Sequence, residues 1–333
     1  MFHLQTGQIG KVSFRKLLLG SMLAVAGAYL SVGFSIVETL IRPNKKSAHY
    51  WDAYQFSPFE LGLPAEAVAF PSQRGDHQVN GWYIPHEGAI ATILVCPGYR
   101  SGMWNVLGMA AHLWKAGYNV LVFEYYGHGQ VVGKPVTLGY REINDFLGAV
   151  TYARQRAPET RLGVVAYSMG AAVAIMCCIR SSEIQALVAD SSFAAHRRIV
   201  DYHVRRTLHL PATPFTWVAD YLLWWRAGYR FKQVAPVQDI ARISRCPVLL
   251  IHGGRDSVVE PHDAFLLYEA ARGPKELWIV PEAEHCGAYF VNRQMYVAKV
   301  LAFLQQTMGV SPQTSERISL SESSSRTSRE FAM

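Results

Sequence analysis

Half of the 333 residues are hydrophobic and 17% are charged, which excludes an intrinsically disordered chain and leaves room for one sizeable domain with appendages. The net charge of +7 does not point to nucleic acid, because six basic residues against Glu38 in the first 50 residues carry most of it, while three Arg and three Glu cancel over 308–333. A basic excess flanking one apolar segment suits a membrane surface better than DNA.

The first element is that apolar segment. Residues 17–37 carry no charge, with Lys11, Arg15 and Lys16 before them and Arg42, Lys45 and Lys46 after. At 1.5 Å per residue such a run crosses a hydrocarbon core of about 30 Å. We assign 1–16 as a basic segment and 17–40 as a transmembrane signal anchor. A cleaved signal peptide ending at Ala24-Val25-Ala26 competes, but the apolar run continues past that site; a buried soluble helix is a third reading. Basic residues on both flanks leave the orientation open. Residues 41–60 read as a linker whose aromatics (Tyr50, Trp51, Tyr54, Phe56, Phe59) pack on the domain rather than at lipid headgroups.

A domain then spans 61–307. Residues 68–70 and 79–84, around a turn at Arg74-Gly75-Asp76, form a hairpin. Strands follow at 92–96, 119–124, 162–167, 186–190, 247–252 and 276–280, and helices at about 104–116, 140–156, 169–180, 261–272 and 291–307. The strands are nearly continuous in Val, Ile and Leu, as expected where both faces are covered. The alternation predicts a mostly parallel, doubly wound α/β sheet with right-handed crossovers. Residues 193–245 break that rhythm and read as a small helical cap. Its Trp217, Tyr221, Trp224, Trp225 and Tyr229 are spaced mostly for one helical face, either lidding an acyl pocket or packing on the domain. Residues 308–333 are Ser-rich and polar, a disordered tail.

Five cysteines (Cys96, Cys177, Cys178, Cys246, Cys286), odd in number and without C-x-x-C spacing, fit neither a metal centre nor a disulfide framework. Cys96 and Cys246, beside strands, read as buried thiols.

The chemistry centres on Ala166-Tyr167-Ser168-Met169-Gly170. An apolar strand stops at Ser168 and small, helix-compatible residues follow at once, which is the context a nucleophile elbow needs. A serine hydroxyl is a weak nucleophile until a base takes its proton and a carboxylate orients that base. In the order Ser, acid, His, the next strand ends place Asp256 and then His285 in loops at the same sheet edge. Asp190, also at a strand end, is the rival acid. The oxyanion donors are the Met169 amide, at a helix start, and the Tyr99 amide, after Gly98. His128 and His252 read as loop-structuring, and Glu282 and Glu284 as solvated.

These residues carry a resemblance. Gly81-Trp82-Tyr83-Ile84-Pro85, Pro97-Gly98-Tyr99, Gly127-His128-Gly129, the elbow at 166–170, the run 247–256 and Glu284-His285 resemble the α/β-hydrolase superfamily, near its serine aminopeptidase-like and BEM46-like membrane-associated members of bacterial type. The resemblance covers roughly 60–307. It implies the α/β-hydrolase fold, a Ser168–Asp256–His285 triad and no cofactor or metal. Ala166 in place of Gly, and Glu124-Tyr125-Tyr126 where relatives often carry Asp and Arg, are departures. The expected protein is a single-pass serine hydrolase of a bacterial inner or plasma membrane, acting on a small-molecule or lipid-like acyl ester without nucleic acid. Peptide cleavage is the enzymatic alternative, and a non-catalytic binding protein the other; the oligomeric state is not legible.

Overall fold

The Val-, Ile- and Leu-rich runs become the middle of one eight-stranded sheet in a computed structural model, which describes residues 14–42, 56–128 and 135–309. The strands are β1 (Glu66–Pro71), β2 (Gln78–Ile84), β3 (Ala91–Cys96), β4 (Asn119–Phe123), β5 (Arg161–Tyr167), β6 (Ile184–Asp190), β7 (Val248–Gly253) and β8 (Lys275–Val280). Their spatial order is β1-β2-β4-β3-β5-β6-β7-β8. Strand β2 alone runs against its neighbours; from β4 to β8 every pairing is parallel. Every residue of β3, β4 and β7 is buried. That is the condition under which a strand need not alternate polar with apolar.

Helices α2 (Leu107–Lys115) and α10 (Arg293–Met308) cover one face of the sheet, through Met109, Leu113, Tyr296, Val300 and Phe303. The other face takes α3 (Glu142–Arg156), α4 (Met169–Cys178) and α8 (His262–Ala270), through Phe146, Val173 and Leu267. The cap contains α5 (His196–Leu208), α6 (Thr213–Ala227) and α7 (Pro236–Ile240), while the short α9 (Ala288–Val291) precedes α10. All five cysteines are free thiols.

The N-terminal helix α1 (Phe14–Ile41) is long and apolar enough to cross a membrane. It has two halves. Side chains 16–28 are exposed. From Tyr29 onward the helix packs along α6: the Tyr29 and Phe215 rings lie 4.8 Å apart, and Arg226 pairs with Glu38 at 3.3 Å. Gly33 sits at the closest approach, where a Cβ would fall 2.7 Å from Val218 Cγ1. Val37 and Ile41 join the main core at 1% and 2% exposure.

Two expectations are corrected here. Four of the five cap aromatics neither lid a pocket nor pack on the domain: Trp217, Tyr221, Trp224 and Trp225 are 48–69% exposed. Helix α6 instead buries the opposite face, Phe215, Thr216, Ala219 and Leu223. Tyr229 is buried but belongs to no shared stripe, because Gly228 ends the helix in the left-handed region at φ 77°. Phe56 and Phe59 are exposed as well; the turn Pro58–Leu61 buries Pro58 instead. Tyr50, Trp51, Tyr54, Gly129, most of the basic N-terminal segment and nearly all of the Ser-rich tail lie outside the described residues.

Candidate active site

Four loops at the carboxyl edge of the sheet, after β3, β5, β7 and β8, bring the candidate residues together, as the topology of open α/β sheets favours. Ser168 joins β5 to α4 with φ 51° and ψ −117°, a conformation that L-residues rarely adopt and that costs about 1–3 kcal/mol. Its amide donates to the Asp190 carbonyl at 2.8 Å, which holds the bend. Gly170 is required by space. A Cβ there would meet the Pro97 carbonyl oxygen at 2.4 Å and that of Cys96 at 2.8 Å. Both are backbone atoms, so Gly170→Ala should cost about 1–3 kcal/mol or more of overpacking, read as a lowered midpoint in chemical denaturation. Ala166, by contrast, is fully buried, so the first small position of the elbow accepts a methyl.

The Ser168 hydroxyl lies 2.9 Å from His285 Nε2, and His285 Nδ1 lies 2.7 Å from Asp256 Oδ2. The other Asp256 oxygen accepts from the Val258 and Val259 amides, each at 2.8 Å. Burial pushes the Asp256 carboxyl up, but hydrogen bonds from His252 and His285 outweigh it and hold the group well below the usual carboxylate range. The carboxylate therefore stays ionised across neutral and mildly acidic pH. His252 is more than loop-structuring: buried to 1% exposure, it reaches the same Asp256 oxygen from Nε2 at 3.2 Å.

Asp190 is placed elsewhere. Its two oxygens accept from the Tyr296 hydroxyl and the Ser191 hydroxyl, each at 2.9 Å. The Cys286 amide donates to that same Ser191 hydroxyl at 3.1 Å, so Asp190 braces the loop that carries His285 rather than the imidazole itself. His128 is buried, with Nδ1 3.4 Å from the Tyr126 carbonyl.

The Met169 amide opens α4, where no preceding turn supplies a carbonyl. The Tyr99 amide likewise has no hydrogen-bond partner among the described residues. Gly98 packs so close that a Cβ there would stand 3.1 Å from Ser168 Cβ. The Tyr99 hydroxyl donates to the Thr39 and Leu40 carbonyls of α1, at 2.7 and 3.0 Å.

Ser168, His285, Met169 and Tyr99 line one cavity of about 730 Å³. Its apolar walls come from α1 (Val32, Ile36, Leu40) and α5 (Ile199, Val200, Val204, Leu208), with Phe193, Leu138 and Val258. The sequence reading missed both walls. On α5 the spacing of Val200 and Val204 was a usable signal. On α1 there was none, because a membrane-type run is apolar all round. Among the described residues lining the cavity there is no Asp or Glu, and Arg100 is the permanent charge.

The family described as "Serine aminopeptidase, S33" matches residues 87–230, a range that includes Ser168 but stops short of Asp256 and His285. The uncharacterized protein YqkD of Bacillus subtilis is 31% identical over 254 residues, covering 75% of this chain and 82% of its own. The lysophosphatidylserine lipase ABHD12 of Gallus gallus is 27% identical over 246 residues, 70% of this chain and 62% of its own. Among solved structures, the Pyrococcus furiosus esterase Pf2001 superposes with a TM-score of 0.65 at 26% identity, over 80% of this chain and 100% of the esterase.

Proposed function

The chain belongs to the α/β-hydrolase superfamily, within its serine aminopeptidase-like and BEM46-like branch, and from that premise we propose that it is a membrane-anchored serine hydrolase that cleaves acyl esters. The observation that carries the reading is the chain of contacts from Ser168 through His285 to Asp256, 2.9 and 2.7 Å long, at the wall of an apolar cavity. Residues 17–40 serve as the anchor in an inner or plasma membrane, and 61–307 as the hydrolase domain.

The mechanism follows from the geometry. Ser168 Oγ attacks the acyl carbonyl while His285 Nε2 takes its proton. The Asp256 carboxylate fixes the imidazole tautomer through Nδ1 and stabilises the imidazolium. The Met169 and Tyr99 amides receive the oxyanion. His285 returns the proton to the leaving alcohol, and an acyl-enzyme on Ser168 remains. Water, deprotonated by the same imidazole, then releases the acid and restores the hydroxyl.

An aminopeptidase reading draws on the family description. Capture of a free amino terminus asks for a carboxylate in the site, and the described lining residues offer Arg100 instead. An apolar acyl chain suits those walls. Labelling by a fluorophosphonate probe that disappears in Ser168→Ala, with turnover of acyl esters ahead of aminoacyl amides, is the expected outcome. No labelling of folded protein would leave the binding-protein reading, and preference for aminoacyl amides would leave the peptidase.

A further inference from the structure

We infer that the exposed aromatic face of cap helix α6 is a membrane-contact surface, lying at the boundary of headgroups and acyl chains in the leaflet that α1 enters. The inference rests on the proposed membrane anchor and adds a second contact to it.

The length of α1 decides the placement. The side chains of α1 that are exposed among the described residues run from 16 to 28, because packing against α6 begins at Tyr29. Thirteen residues rise about 20 Å, which is short of a hydrocarbon core of about 30 Å. About 20 apolar residues are needed, and counted from Leu17 they reach Ile36. Completing the span thus draws in a stretch of α1 that is already fastened to the cap. The fastening runs in parallel: Tyr29 meets Phe215, Gly33 meets Val218, and Glu38 meets Arg226. Residues 29–36 therefore bring the level of Phe215 to about Leu223 with them, and α6 cannot stay in bulk water while they are in lipid.

The face that α6 then presents is made of Trp217, Tyr221, Trp224 and Trp225, at 64%, 55%, 48% and 69% exposure. Leu210, in the preceding turn, is half exposed, as are Leu30 and Phe34 on α1. An apolar surface of this extent is unusual on a soluble domain. Trp and Tyr at a membrane boundary keep the ring in the acyl region and the polar atom at the headgroups. Basic residues stand nearby. Arg230 lies over the Tyr221 and Trp224 rings at 5.8 and 5.2 Å. Arg205 and Arg206 end α5, one short turn before α6, with stems long enough to reach lipid phosphates.

One consequence concerns substrate. Val32 and Ile36 of α1, which line the cavity, belong to the stretch drawn toward the leaflet. The cavity therefore opens beside acyl chains, and the substrate is a bilayer amphiphile whose chain enters without crossing water.

The test uses the full chain in vesicles of phosphatidylcholine and phosphatidylglycerol, some with acyl-brominated lipid. Flotation first reads the anchor. The emission difference between wild type and Trp217→Phe/Trp224→Phe/Trp225→Phe isolates three indoles from the rest. Strong quenching of that difference by brominated lipid, with weak quenching by aqueous iodide, is the expected result. The matching Trp→Ser variant should turn over a soluble short-chain ester as wild type does, and lose at least about fivefold on a long-chain ester held in vesicles, a bias of roughly 1 kcal/mol. Protein that floats while iodide quenches the three indoles freely overturns this inference alone. Indoles shielded from both quenchers as protein concentration rises assign the face to a second copy and also overturn it. Protein that fails to float removes the anchor and this inference together.

Discussion

Ser168→Ala should lower kcat on the preferred ester by about 10⁵- to 10⁶-fold, and adding His285→Ala should cost almost nothing more. The two side chains act as one unit. An imidazole without the hydroxyl has no proton to take, and a hydroxyl without the imidazole stays protonated. Their 2.9 Å contact makes the coupling direct, so single and double variants should share one residual rate. That residue is what the amides of Met169 and Tyr99 and the cavity supply alone. Folding should hardly change, because among the described contacts the Ser168 side chain forms this hydrogen bond and no other. Its loss is worth about 1 kcal/mol. Single-turnover kinetics, alongside thermal unfolding of each variant, makes the measurement. Losses that multiply in the double variant, or a Ser168→Ala enzyme within tenfold of wild type, would end the triad reading.

Deleting residues 1–42 should leave the domain aggregated or unfolded, whereas deleting 1–28 should keep turnover of a soluble ester within about twofold, the size of a change at exposed sites. The difference lies in what each cut removes. Side chains 16–28 of α1 are exposed. The rest of the helix buries Val37 and Ile41 to 1% and 2% exposure and packs Tyr29, Val32, Ile36 and Leu40 against the core. Full burial of one such aliphatic side chain is worth about 1.5–3 kcal/mol. Several together rival the 5–15 kcal/mol that typically separates a folded domain from its unfolded chain. The longer cut also exposes Phe215, Ala219 and Leu223 on α6. It removes the carbonyls that hold the Tyr99 hydroxyl, and the Ile41 carbonyl that takes the Val136 amide at 3.0 Å. The loop that bears the Tyr99 amide thereby loses its anchor on α1. Light scattering and ester turnover in mild detergent read both outcomes. A fully active protein lacking 1–42 would show that α1 is a tether and nothing more.

Much of the site was legible because it sits at strand ends. A run such as 162–167, short and bounded by turn residues, reads as a covered strand, and the residue that follows a strand stands at the sheet edge. The same logic placed Asp256 and His285, since each follows a covered run, 247–252 and 276–280, that ends on the same edge. Asp190 shows the limit of that logic. It ends a strand as cleanly as any of them, and only the positions of Tyr296 and Ser191 reveal that its oxygens are taken. Likewise His252 is an ordinary strand residue in sequence, and its reach to Asp256 depends on the turn at Gly253.

Helix α6 misled for a different reason. Its sequence carries large apolar side chains on two faces, Trp217, Tyr221 and Trp224 on one and Phe215, Ala219 and Leu223 on the other. Periodicity identifies a stripe but not its partner. The smaller face went inward because α1 approaches closely there at Gly33, which bulky indoles would prevent.

The order of strands and helices, the elbow at Ser168 and the edge on which chemistry gathers were legible in the chain alone. These follow from local pattern and chain order. Which carboxylate meets the imidazole, which face of α6 stays outside, and the place of the N-terminal helix as a wall of the cavity emerged from packing between distant segments. Those outcomes depend on contacts between segments as far apart in sequence as Glu38 and Arg226, whose free energy exists only once the chain has folded and which leave no periodic trace in either segment.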